Sequence, residues 1–126
     1  RYDLIDFETI GFMLNLDMIG RNPDKSVELY GDGFADGLTD LVEAANEKHG
    51  VDIAFQGRNY EPFSDIAVFH DNRIPFLMFF TGEHPDYHGT GDHVDKLEYD
   101  RMAKLLQLSY DVIDSAAGAE RLPRFE

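Results

Sequence analysis

Gly11-Phe-Met-Leu-Asn-Leu-Asp-Met-Ile-Gly20 is apolar at odd and even positions alike. A strand with one wet face would alternate apolar and polar side chains, so this run suits a strand buried on both faces of a mixed or parallel sheet. It predicts a central strand over residues 11–17. Downstream, Ile74-Pro-Phe-Leu-Met-Phe-Phe-Thr81 has the same character, with its proline where a strand tolerates one, at the start. Two such strands need helices on both sides of the sheet, and this places the chain in the α/β class.

The intervening segments supply those layers. Arg21-Asn-Pro-Asp-Lys-Ser26 is a turn cluster, and Ser26–Tyr30 alternates with period two, so a second strand is expected there, antiparallel to the first. From Phe34 to Lys48 the positions Leu38, Leu41, Val42 and Ala45 follow helical spacing, and Gly50 provides a stop. Residues 51–55 read as a short strand, and Ser64 as the cap of a short helix ending near Phe69 or His70. Over 99–117 the residues Met102, Leu105, Leu106, Tyr110 and Ile113 form one stripe, predicting a terminal helix that covers the sheet. The tail from Gly118 is expected to be peripheral. The Gly-rich stretch 31–37 has no P-loop lysine and carries two acids, so it reads as a turn into the first helix.

The whole of 1–126 is expected to form a single domain: 126 residues with 43% hydrophobic content suffice for one core. A formal net charge of −14 disfavours nucleic acid and anionic membrane surfaces as partners. No apolar run approaches the roughly 20 residues that span a bilayer. With no cysteine, a metal must be held by His, Asp, Glu or backbone oxygen. Arg1 is not an initiator residue, which leaves room for a longer parent.

Two strand ends carry the residues from which a metal site can be built. Asp17 stands among apolar neighbours at the carboxyl end of the first buried strand, where open α/β sheets place their ligands. A carboxylate there is costly unless paired or bound to a cation, although a turn aspartate bonded to backbone amides is the plainer reading. After the second strand comes Asp86-Tyr-His-Gly-Thr-Gly-Asp92. Asp86 or Asp92 could orient one ring nitrogen of His88 while the other binds metal, against the plain alternative of a solvated loop histidine.

With these motifs the chain resembles the carboxyl-terminal half of the catalytic domain of zinc-dependent aminopeptidases with co-catalytic metals, the family that includes bacterial leucyl-type aminopeptidases. Asn15-Leu-Asp17-Met-Ile-Gly20 matches one strand-end motif. Asp86-Tyr87-His88 through Asp92, followed by Asp95-Lys-Leu97 and Tyr99, matches the last one. Ser64-Asp65, Phe69 and Ile74-Pro75 keep the order of the linking segment. The resemblance covers residues 10–115. It implies a zinc-exopeptidase-like layered fold with a mixed, mostly parallel central sheet flanked by helices. It further implies Asp17 as ligand of one zinc, His88 as ligand of the other, and Tyr87 as a phenol donor to the scissile carbonyl oxygen. Asp92, Asp65 and Arg58 would lie behind the ligands or on the substrate side.

Departures from the pattern are specific. The family also uses an upstream histidine, a metal-bridging aspartate and a Glu-Glu pair that supplies the general base, and none has a counterpart here. Glu8 lacks an adjacent acid and reads as a surface residue. Ile66 stands where the middle motif often has histidine after Ser-Asp.

Two functions from different classes follow. One is a segment of a zinc aminopeptidase acting on peptide substrates, inactive alone for want of the upstream ligands and base. The other is a non-catalytic binding or assembly module on a degenerate peptidase fold; a glutaminyl cyclase-like enzyme is a single-zinc variant within the family. Either a missing upstream half or self-association is expected to cover the strand edges that such a segment exposes. By the resemblance, export to the periplasm or outside the cell is favoured.

Overall fold

Along each strand the side chains alternate between two apolar layers, as a sheet covered on both sides requires. In the computed structural model, which describes residues 6–60, 62 and 64–126, the regular elements are β1 (Met13–Asp17), β2 (Val27–Tyr30), α1 (Leu38–Asn46), β3 (Ile53–Phe55), α2 (Ile66–Asp71), β4 (Phe76–Phe80) and α3 (Tyr99–Gly118). Short 3-10 turns occupy Phe7–Thr9 and Val94–Lys96.

The sheet has four strands in the order β1-β4-β2-β3. β1 runs parallel to β4 and β2 parallel to β3, while β2 and β4 pair antiparallel. The expected mixed, mostly parallel α/β sheet is therefore present. β2 does run opposite to β1, but β4 lies between them.

Val27, Leu29, Leu77 and Phe79 point into one layer with Leu38, Val42 and Ala45 of α1 and Leu105, Leu108 and Val112 of α3. Burying each of the valine, leucine and phenylalanine side chains contributes about 1.5–3 kcal/mol before the entropy of ordering is subtracted. On the opposite face Tyr30, Phe76 and Met78 pack with Ile66 of α2 and with Phe34, Tyr60 and Phe69.

Three expectations need correction. β1 is not central in the described sheet: its only partner is β4. The Met13 amide donates to the Pro75 carbonyl at 3.0 Å. In a parallel ladder the backbone groups of 13, 15 and 17 therefore serve β4, and those of Leu14 and Leu16 face outward. The stripe foreseen on α3 is rotated: Leu106, Tyr110 and Ile113 are exposed, whereas Leu105, Leu108, Ser109, Val112 and Ala116 are buried. Small Ser109 and Ala116 permit a close approach to the layer beneath. Nor is the tail wholly peripheral. Phe125 forms a bridge with Ala35 and stacks on Phe34 at 5.7 Å between ring centroids, with the Arg73 guanidinium over its ring.

Among the described residues no helix is long and apolar enough to cross a membrane.

Candidate metal and peptide site

The β1–β4 register pairs Asn15 with Met78 and Asp17 with Phe80, so these side chains share the α2 face of the sheet. β2 adds Glu28 beside Phe80 and Tyr30 beside Met78. Because β1 and β4 are parallel, the loops after Asp17 and Phe80 leave from the same end of the sheet, where α/β folds form ligand crevices. A cavity of about 550 Å³ opens there, lined by Asp17, Met18, Tyr30, Ser64, Met78, Phe80, Glu83, Tyr87 and His88. Folding thus brings Asp17 to one space with Tyr87 and His88, which are far from it in sequence.

Local structure holds the two loops together. Met18 has a left-handed φ of 52°, turning the chain sharply after Asp17. Its carbonyl accepts a hydrogen bond from the Thr81 hydroxyl. The Asn22 side-chain amide donates to the carbonyls of Thr81, Gly82 and Glu83, fixing the start of the second loop. His88 also has a left-handed φ, of 54°. Such backbone strain in a non-glycine residue is concentrated at functional sites.

Asp17 has no side-chain hydrogen bond among the described residues. Burial, followed by repulsion from Asp65, raises its carboxyl above the usual carboxylate range. An under-compensated anion of this kind is stabilised by a cation. The His88 ring likewise makes no hydrogen bond among the described residues; it is exposed and lies against Tyr87 at 4.1 Å between centroids. A carboxylate and an imidazole suit zinc, so the donors present fit part of a zinc shell. They do not fill one, since among the described residues no group of three or more His, Cys, Asp or Glu side chains converges on a point.

The accessory residues sort differently from the expectation. Asp65, just before α2, acts on Asp17 through its charge. Asp92 makes no hydrogen bond to the His88 ring. It accepts from Arg21 and lies 3.8 Å from His84 Nε2. Asp86 accepts from Lys96 at 2.8 Å and from Arg21 at 2.7 Å, and these two bonds, Lys96's the larger in effect, lower its pKa to about 2. Arg58 does not line this cavity: it donates to the carbonyls of Gly33 and Glu126 and sits over the Phe34 ring, bordering a separate cleft with His70 and Phe125. The N-cap of α2 is Asp65, without a side-chain cap bond, and not Ser64 as expected; the Ser64 hydroxyl, one residue earlier, accepts from the Ile66 amide at 3.4 Å and borders the site. Glu8 is exposed, as expected.

Sequence reasoning missed Glu83, Tyr30 and Met78 as lining residues. Nothing local marks them; only the antiparallel β2–β4 register brings Tyr30 next to Met78. His84, which flanks the site loop, is not a solvated loop residue: it is buried edge-on to Tyr87 with its Nδ1 unpartnered among the described residues.

The family model for peptidase family M28 matches residues 4–113. The chain belongs to that family. No curated protein matches the sequence. Among solved structures, the M28 chain is similar to the zinc aminopeptidase BSAP from Bacillus subtilis, with a TM-score of 0.72 and 21% identity over 95% of this chain and 32% of that one. It also resembles the LapA aminopeptidase of Legionella pneumophila, with a TM-score of 0.71 and 18% identity over 88% of this chain and 32% of that one. The aminopeptidase from Aneurinibacillus sp. strain AM-1 gives 0.68 and 23% identity, over 95% of this chain and 27% of that one. At these identities the likeness establishes the shared fold. The M28 chain spans about a third of the length of these structures.

Proposed function

We propose that this chain is the carboxyl-terminal part of the catalytic domain of a zinc-dependent aminopeptidase, contributing one carboxylate and one imidazole to a two-metal site. The convergence of Asp17 and His88 on one cavity from the ends of two parallel, paired strands carries this reading. Membership of a peptidase family, together with similarity to enzymes described as aminopeptidases, supports the reaction class.

In that reading Asp17 and His88 hold one metal each, and bound zinc supplies Lewis acidity at the peptide carbonyl. The Tyr87 phenol, at the cavity wall and 42% exposed, donates toward the carbonyl oxygen as negative charge develops there. Met78, Phe80 and Tyr30 give an apolar floor for the first side chain of a peptide, and the Glu83 carboxylate at the rim suits its terminal ammonium. The general base and the remaining ligands come from an upstream segment, which also pairs with the outward edge of β1. The chain by itself is therefore inactive.

A second reading, a binding or assembly module that keeps the fold without a working centre, is favoured by the lack of a three-ligand group among the described residues. Calorimetric zinc titration of wild type, Asp17→Ala and His88→Ala, with an assay on a leucine amide, separates the two. Weak zinc binding abolished by either substitution, with no turnover, supports the partial metal site. Absence of zinc binding favours the module, and turnover by the chain alone overturns its incompleteness.

A further inference from the structure

β-ladder pairing fixes Asp17 against Phe80, but His88 lies eight residues beyond Phe80 in a stretch without helix or strand. Ligands on separate loops serve one two-metal centre only when their spacing is held to about 0.5 Å. Asn22 and Thr81 tie the loops together as far as Glu83. From there to Asp92, among the described residues, the only hydrogen bonds reaching back to the turn after β1 are those of Arg21. Its Nη2 donates to Asp86 Oδ2 at 2.7 Å and its Nη1 to Asp92 Oδ1 at 2.5 Å. These two aspartates bracket Tyr87 and His88.

Both ends of this clamp are braced. Arg101 of α3 donates to the backbone carbonyls of Arg21 and Asn22, so the arginine stands on a fixed stretch of chain. Lys96 shares the Asp86 oxygen at 2.8 Å. On the far side Asp86 is packed over Gly91, where an added Cβ would come within 2.7 Å of Oδ1. The Arg21 side chain is only 13% exposed. A planar fork that spans two carboxylates fixes direction as well as distance, which the point charge of a lysine does not.

We infer that Arg21 is a positioning residue that sets the His88 loop at the spacing from Asp17 that a shared metal centre demands. This rests on the metal-site reading above. Arg21 touches neither metal nor peptide; it acts through Asp86 and Asp92.

The test is zinc calorimetry and cobalt(II) absorption spectroscopy on the full chain for wild type, Arg21→Ala, Arg21→Lys and Asp92→Asn, with Asp17→Ala and His88→Ala as references and metal-free Tm measured for each. Expected are a tenfold or greater loss of zinc affinity and a changed cobalt band in Arg21→Ala, at a Tm within a few degrees of wild type, with partial recovery in Arg21→Lys. If Arg21→Ala loses its fold, Arg21→Lys and Asp92→Asn must weaken zinc binding at unchanged Tm for the proposal to stand. Zinc binding lost in the Asp17 and His88 variants but wild-type in those of Arg21 and Asp92 overturns the positioning role alone. Binding indifferent to Asp17 and His88 overturns the metal site and the positioning role with it.

Discussion

Asp17 stands opposite Phe80 across the parallel β1–β4 pairing, so an acid occupies the last rung of a ladder whose other members on that face are Met13, Asn15, Phe76 and Met78. Its ionised form bears the cost of that setting, since burial and then Asp65 raise its pKa in the folded state.

The sign of the pH effect follows. A raised folded pKa means that Asp17 costs no stability below its unfolded value near 3.8 and reduces stability as pH rises through the folded pKa. Asp17→Asn is therefore expected to raise the metal-free Tm at neutral pH and to match wild type in strong acid, while losing zinc. Thermal melts of both proteins across pH check this; an unchanged or lower Tm for Asp17→Asn at neutral pH contradicts it.

Asp86 behaves oppositely. Its pKa, lowered to about 2 by Lys96 and then Arg21, gives stability that is present above 3.8 and lost as pH falls toward 2. Acid titration of Tm should show this loss in wild type and a shallower one in Asp86→Asn. Identical acid profiles would show that the ion pairs contribute nothing to stability.

Gly91→Ala should disturb the same loop by steric means, because the new methyl would lie 2.7 Å from Asp86 Oδ1. The carboxylate must shift away from its partners, so zinc affinity should fall about as far as in an Arg21 variant. A calorimetric Kd equal to wild type would refute the packing argument.

Phe125 closes the aromatic cluster of Phe34, Phe76 and His70. It is only partly buried, so Phe125→Ala should destabilise by about 1–2 kcal/mol in urea unfolding, well under the cost of a fully buried phenylalanine. No change in the unfolding midpoint would return the tail to a peripheral role.

The outward edge of β1 predicts association. Leu14 and Leu16 present backbone groups that pair with no strand among the described residues, on a strand with apolar side chains on both faces, which is a template for another strand. Sedimentation velocity should show concentration-dependent self-association of this chain, suppressed by a companion segment supplying the upstream half. A compact monomer at high concentration would be the contrary result.

What was legible in the sequence was whatever local pattern fixes. Double-faced apolar runs gave the strands of an α/β sheet, and acids and a histidine at strand ends gave the ligand candidates Asp17 and His88. Periodicity could not choose the buried face of α3, because Leu106-Tyr110-Ile113 and Leu108-Val112-Ala116 are both apolar at helical spacing. The tertiary structure chose the second, in which Ser109 and Ala116 leave room for close packing.

Strand order belonged to the tertiary structure too. Nothing local tells β1 that β4, over sixty residues away, rather than β2 will be its neighbour. From that pairing come the juxtaposition of Asp17 with Tyr87 and His88, the lining by Tyr30 and Met78, and the reach of Arg21 to Asp86 and Asp92. Sequence by itself determined which residues can bear the chemistry, since burial period and donor type are local properties of the chain. Only long-range pairing decided which of them meet, because hydrogen-bond register and side-chain reach are properties of the folded sheet.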